Sequence, residues 1–430
     1  MAVIRTVPAS FGQRLLGVME HYRAAESPLA VPSIYRLRGK LSAPALHSAL
    51  DGLVARHEAL RTTYRNERRR LTQEIHEPAS VPIDWRVLPD AGDLNAELVE
   101  LIRTPFDLSR APLRVSVIEL ASDDHVLLIN IHHLSTDGWS GGVLSQDLGR
   151  LYRPAATDTH RLDEPSWQYA DFSERQRKDF EGALLAERQQ FWRSCLEGIR
   201  PPSLPELKSE LRDRPQLPGT QLFQLPDEAV EELRRLCRAK RVTLFAATLA
   251  VFGAVMHART GDTDFGIASM FANRPRPELT ETVGYLANLL VLRLRLPERP
   301  TFGDLLEAAQ DMVWEALAHQ DLPYHLVPQT GGERAVGLEK ILFQVMSGPD
   351  YRLGLDGLEV EQLGPPSGAG SRFDLEFALM PKATTIGGVV WFDQRRFDEA
   401  WIRGLVTHYC AMATAACAAP GLPVADLAVS

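Results

Sequence analysis

The stretch Ile131-His132-His133-Leu134-Ser135-Thr136-Asp137-Gly138-Trp139-Ser140 has the residue types and spacing in this chain that best suit chemistry. Two imidazoles close an apolar run, and a carboxylate and a glycine follow before the next polar-apolar pattern begins. Imidazole titrates near neutrality, so a positioned histidine can take or give a proton at physiological pH. Side chains along a strand alternate between faces, so only one of His132 and His133 can face a given cleft. Asp137-Gly138 taken alone would be an ordinary turn. Ser135 lies in the same loop, but no neighbouring residue would activate it. Gly138-Trp139-Ser140-Gly141-Gly142 spells the Gly-x-Ser-x-Gly pattern of Ser-His-Asp hydrolases, but its serine falls inside the helical pattern that starts at Trp139 and not on a strand-to-helix turn, so it is not read as a nucleophile elbow.

The flanking patterns supply the elements that must hold these groups. Leu113–Leu120 reads as a strand, Asp123-Asp124 as a turn, and Val126–Ile131 as a second strand, apolar enough to be central. Trp139–Tyr152 reads as an amphipathic helix. This places the histidines at the rim of a rigid sheet, where reactive groups are commonly held. Upstream, Ser33–Leu41 is expected as a strand and Ala43–Leu60 as a helix, with Leu46, Leu50, Leu53, Val54 and Leu60 on one side. Ser166–Glu197 reads as one long helical stretch, and Glu197–Pro218 as a proline-rich connecting segment. The second half shows helices over Thr243–Ala258, Thr301–His319 and Trp401–Cys417. Its strands are expected at Phe265–Met270, at Asn288–Leu296, and near 341–347, 357–363, 373–380 and 387–393. Each half is therefore α+β, which predicts two lobes, 1–178 and 179–430.

With 430 residues, 45% apolar and 24% charged, the chain can bury a large core without staples. The net charge of −9 gives no footprint for nucleic acid and no attraction to an anionic membrane. No apolar run is long enough to span a bilayer, and no secretory signal opens the sequence. Cys195, Cys237, Cys410 and Cys417 match no metal-ligand spacing, so neither a metal nor a disulfide framework is expected. A cytoplasmic protein with reduced thiols follows.

His132-His133-x-x-x-Asp137-Gly138 resembles the HHxxxDG signature of the condensation domains of nonribosomal peptide synthetases, within the chloramphenicol-acetyltransferase-like superfamily. Further segments resemble that family's other motifs in order: Ser10–Leu15, Arg56–Thr62, Tyr169–Phe172, Val283–Asn288 and His319–Tyr324. The chain departs from the family at Gly12, where alanine is usual, at Leu289 for threonine and at His325 for glutamate.

The resemblance implies two acetyltransferase-like lobes in a V-shaped arrangement with a central tunnel. It implies His133 as the catalytic residue, either as general base or as a group that orients the acceptor and stabilises the oxyanion. His132 and Asp137 are implied to be structural, Asp137 pairing with an arginine, for which Arg274 is the better match and Arg276 the alternative. Gly138, with Trp139 and Ser140 after it, is implied to lie against the substrate arm. Asn288 is either a substrate-side hydrogen bonder or a structural tie. His57 is expected to be structural, with Glu58 and Arg61 three residues apart and able to pair. Arg68-Arg69-Arg70 reads as a solvated turn or as a contact for an acidic carrier protein.

The implied activity is that of a free-standing condensation enzyme. It would form an amide or ester between a carrier-bound acyl thioester and a nucleophilic acceptor in natural-product, including antibiotic, biosynthesis. The implied partners are an acyl or peptidyl carrier protein and a small-molecule or carrier-bound acceptor. No cofactor of its own is expected; the carrier's phosphopantetheine arm tethers the donor. The alternatives are an acyl-CoA-dependent small-molecule acyltransferase and a non-catalytic recruitment domain.

Overall fold

A computed structural model of the chain describes residues 2–23, 29–67, 70–88, 93–153, 162–205, 209–211, 218–327, 337–346, 352–364 and 373–427. Its first elements are β1 (Val3–Pro8), α1 (Phe11–Arg23), β2 (Ala30–Arg38), α2 (Ala43–Arg56), β3 (Thr62–Glu67), β4 (Arg70–His76), β5 (Ile83–Val87) and α3 (Leu94–Arg103). β6 (Leu113–Ala121), β7 (Asp124–His132), α4 (Gly138–Leu151), α5 (Tyr169–Asp179), α6 (Ala183–Leu196), β8 (Pro218–Gln224), α7 (Asp227–Lys240) and α8 (Leu244–Thr260) follow. The chain continues through β9 (Asp264–Phe271), β10 (Asn288–Arg295), α9 (Phe302–Ala318), β11 (Ile341–Val345), β12 (Glu359–Leu363), β13 (Leu375–Pro381), β14 (Ile386–Asp393) and α10 (Glu399–Ala418).

These elements group into two compact units. The first comprises Met1–Gly182, Ala272–Ala287 and Gly348–Ala369; the second comprises Ala183–Phe271, Asn288–Ser347 and Gly370–Ser430. The contiguous halves expected from the sequence leave out the two returns to the first unit. Those returns are fixed by tertiary contacts, to which local periodicity is blind: β12 pairs antiparallel with β2, Val360 opposite Leu37.

In the first unit a five-stranded sheet runs β12-β2-β7-β6-β5, antiparallel except for the parallel β5–β6 pair. Every residue of β7 after Asp124 is buried, as its unbroken apolar run predicts for a central strand. Leu127, Ile129 and Ile131 join a core with Leu46, Leu50 and Leu53 of α2 and Val143, Leu144 and Leu148 of α4. Val126 and Leu128 pack with Leu98 of α3 instead. The strand is thus clamped on both faces, and its end is held rigidly where the histidines sit. A second sheet of this unit, β1-β4-β3, carries Tyr64 and Gln73.

The second unit is built on a six-stranded mixed sheet, β10-β9-β11-β13-β14-β8. Among the described residues no single helix is long and apolar enough to cross a membrane. α8, apolar all round, is buried from Ala246 to Met256 inside its unit, as a core helix must be.

The long helical stretch expected over 166–197 is two helices, α5 and α6, separated at Gly182, whose φ of +69° leaves the helical region. The helix expected over Ala43–Leu60 stops at Arg56, and a single 3-10 turn covers Glu58–Arg61. β1 and α1 were not signalled by local periodicity. Arg68 and Arg69, and residues 206–208 and 212–217 of the proline-rich segment, lie outside the described residues.

Candidate active site

β7 ends at His132, and His133 opens a 3-10 turn through Ser135. The His133 N–H donates to the Leu29 carbonyl at 2.7 Å, which fixes the backbone at the point of departure from the sheet. The ring is partly buried, with Nδ1 2.7 Å from the Thr136 carbonyl oxygen. A carbonyl oxygen can only accept, so Nδ1 carries the hydrogen and the neutral ring presents a basic Nε2. The edge-on ring of Tyr285, with centroids 5.0 Å apart, limits the ring's rotation. Gly12 permits that approach: a Cβ there would lie 3.0 Å from the Tyr285 ring.

His132 has different neighbours. It is fully buried, its Nδ1 accepts from the Leu134 N–H at 3.1 Å, and it meets Phe106 edge-on with centroids 5.5 Å apart. It braces the turn from beneath.

The turn is also held from the side by residues whose role the sequence did not reveal. The Tyr64 hydroxyl lies 3.0 Å from the Leu134 carbonyl oxygen and 2.6 Å from Ser135 Oγ. Gln13 Nε2 donates to the same Leu134 carbonyl at 2.9 Å. Ser10, at the same motif, contacts the Tyr169 hydroxyl at 2.7 Å, and that hydroxyl donates to the Tyr285 carbonyl at 2.7 Å. Burial pushes the Tyr64 hydroxyl above its usual range, so it stays a neutral hydrogen-bonding group at all ordinary pH. Tyr64→Phe is expected to lower stability by about 1–2 kcal/mol, the usual cost of a lost buried hydrogen bond with partners left behind. It should leave His133 less well held; thermal melting and single-turnover rates measured together check both effects.

Asp137 is the N-cap of α4 and is 1% exposed. Its Oδ1 accepts from the Ser140 N–H at 2.8 Å and lies 2.7 Å from Ser140 Oγ, while its Oδ2 accepts from the N–H groups of Leu286 and Ala287 at 3.0 Å. Arg274 donates to both oxygens at 3.1 Å. Burial by itself would raise the carboxyl's pKa, but the Arg274 charge and the hydrogen bonds outweigh it and hold the carboxyl below its ordinary range. Arg274 is thus the partner of Asp137. Arg276 lies instead over the Trp167 ring, 5.9 Å from its centroid. Arg274 also donates to the Ala272 and Thr282 carbonyls, so it ties the returning segment 272–287 to the histidine loop.

Gly138 is the first residue of α4 and is exposed, with no left-handed φ. A Cβ built there meets nothing within 4 Å. The backbone therefore does not require glycine at this position, and the absence of a side chain keeps space open beside the loop. The next two residues belong to the framework. The Trp139 Nε1–H donates to the Thr280 carbonyl at 2.9 Å, and buried Ser140 Oγ is shared among Asp137, Arg274 and the Gly284 backbone. Their placement as residues against the substrate arm is corrected by this geometry for Ser140, whose hydroxyl is enclosed. α4 is anchored further along by Asp147, which accepts from Arg56 at 2.7 Å and faces His57 Nε2 at 2.8 Å. Burial holds His57 below its usual pKa, consistent with a structural residue.

Asn288 belongs to the second unit. Its Nδ2 donates to the Gln320 and Leu322 carbonyls at 2.8 and 2.6 Å, and its Oδ1 accepts from the Tyr324 N–H at 3.1 Å. With donors and acceptor engaged by the 320–324 backbone, its amide ties that segment to the start of β10.

The chain belongs to the condensation domain family, whose sequence profile matches residues 3–429. It is a condensation domain of the type found in nonribosomal peptide synthetases. Phosphinothricin tripeptide synthetase PhsC of Streptomyces viridochromogenes is 33% identical over 98% of this chain, which spans 40% of that protein. Chondramide synthase cmdD of Chondromyces crocatus is 31% identical over 98% of this chain, which spans 11% of that protein. The chain is thus less than half the length of these relatives. Among solved structures, the X-domain from teicoplanin biosynthesis superposes with a TM-score of 0.85 at 25% identity, covering 100% of this chain and 99% of that one.

Proposed function

We propose that this protein transfers an acyl group from the phosphopantetheine thioester of an acyl or peptidyl carrier protein to an amine or alcohol acceptor, by direct attack. A C–N or C–O bond forms at the thioester carbonyl, the C–S bond breaks, and the pantetheine thiolate leaves. His133 Nε2 takes the proton from the acceptor and can return it to the leaving sulfur, so charge balances without an acyl-enzyme. The single observation that carries this reading is the 2.7 Å contact of His133 Nδ1 with the Thr136 carbonyl, which presets the basic nitrogen on the other side of the ring. The Asp137–Arg274 network, the Tyr64–Gln13 clamp and His132 position that ring without taking part in the chemistry. The enzyme is proposed to act in the cytoplasm, in the assembly of an antibiotic-like natural product.

The test uses acyl-loaded carrier supplied as a separate protein, with candidate amines and alcohols and intact-mass readout. Loss of the acyl mass from the carrier, matched by acylated acceptor, supports the proposal. Equal or better use of the same acyl group on CoA would favour a small-molecule acyltransferase.

Gly138 sharpens this. Gly138→Ala is expected to melt like the parent, since the site is roomy and helical. Gly138→Leu should also fold, yet cut transfer from the carrier-bound donor by roughly tenfold or more, about 1.4 kcal/mol of lost positioning. A short free thioester should be affected less. Equal losses with both donors and a lower melting temperature would make the glycine purely structural.

A further inference from the structure

We propose that the first unit holds a second binding site, for an N-acylated apolar amino acid or a short apolar peptide with a free carboxylate, in a cavity separate from the His133 centre. The cavity measures about 830 Å³, within the range of about 300–1,000 Å³ common for small-molecule sites. Leu60, Val81, Leu113, Val115 and Leu128 give it apolar walls, and it is lined by neither His132 nor His133.

Asn130 indicates a ligand. It lines the cavity from β7, is 2% exposed, and neither its side-chain nitrogen nor its oxygen has a hydrogen-bond partner among the described residues. Buried amides are ordinarily satisfied, and an unsatisfied one is destabilising. A carboxamide offers a donor and an acceptor side by side, and the group that answers both at once is another amide, N–H to Oδ1 and C=O to Nδ2.

The adjacent strand supplies the charge. Arg114 stands directly opposite Asn130 across β6–β7 and also lines the cavity. Its guanidinium donates to the Thr104 and Pro105 carbonyls and lies 3.9 Å from the Phe106 ring centroid. Among the described residues no carboxylate lies within ion-pair distance of Arg114 or of Arg110, which is exposed along the same wall and has the Asp107 carboxylate as its nearby opposite charge. The acids that line the cavity are engaged, Asp84 with Arg86 at 2.8 Å and Asp107 with the Ser109 hydroxyl at 2.6 Å. An amide at Asn130 and a carboxylate toward the two arginines, joined by an apolar body, is the chemistry of an N-acyl amino acid.

The test is calorimetric titration of the intact chain with N-octanoyl-leucine, its C-terminal amide N-octanoyl-leucinamide, and decanoate. The acid is expected to bind saturably, at least about tenfold tighter than either analogue. Asn130→Leu, which removes two unsatisfied polar atoms, should melt no lower than the parent and lose that binding. Arg110→Gln should bring the acid down toward the amide even if Asn130→Leu fails to fold. His133→Ala should bind as the parent does, which separates this site from the reacting centre. Equal binding of all three probes, unchanged affinity in Arg110→Gln, or no saturable binding would overturn the proposal.

Discussion

Asp137→Ala is expected to be the most destabilising single change in the candidate site, by about 3–5 kcal/mol for the orphaned buried guanidinium, with the lost helix cap adding about 1 kcal/mol. The truncation strands the N–H groups of Ser140 and Ala287, leaves Leu286 N–H only its 3.2 Å bond to the Gly284 carbonyl, and removes the charge partner of Arg274. Arg274→Ala should cost less. Without the arginine, Asp137 keeps four hydrogen-bond partners, three backbone N–H groups and the Ser140 hydroxyl. The double variant should lie well below the sum of the singles, because the two residues share one network. Additive losses in melting would show that they do not act as a pair.

The same group sets a pH dependence. Its folded pKa is depressed, so its contribution is complete above the unfolded value of about 3.9 and is lost as pH falls through the lower folded value. The melting gap between the parent and Asp137→Ala should therefore be full at neutral pH and narrow only below about pH 4. A gap that closes near neutrality would contradict this assignment.

His133→Ala is the second large effect, on rate and not on stability. A general base typically contributes about 10²–10⁴-fold, and that is the expected loss in single-turnover transfer. The ring is only partly buried, in contrast to the fully buried His132, so melting should change little. His132→Ala should show the reverse emphasis. It removes a fully buried ring that braces Leu134 and Phe106, and the loss should appear first in stability. If His132→Ala and His133→Ala lose rate equally with equal melting losses, the two histidines do not divide the roles as argued.

The contrast between these histidines was legible in the sequence, because strand alternation and the Asp-Gly break place them on different faces at a sheet rim. The strands β6 and β7 and helix α4 were legible for the same reason: their apolar patterns are local. What holds the loop was not. Gln13 is 121 residues from Leu134, and Tyr64 is 71 from Ser135, so no window of periodicity joins them. Arg274 could be assigned only by resemblance, since it reaches Asp137 from a segment that returns to the first unit after 137 residues. Asn288 was ambiguous because a buried amide demands partners without naming them; the 320–324 backbone supplies them. Asn130 read as one more residue of a central strand, and only the three-dimensional surroundings reveal that its amide lacks partners.

The most direct measurement of the central claim is single-turnover transfer from an acyl-loaded carrier protein, followed by intact mass, in the parent and in His133→Ala at matched folded concentration. The account predicts acylated acceptor and deacylated carrier with the parent, no acyl adduct on the enzyme at any time, and a loss of at least about 10²-fold with the variant. Transfer by His133→Ala within a few-fold of the parent, or an acyl-enzyme that forms and decays with product, would contradict it.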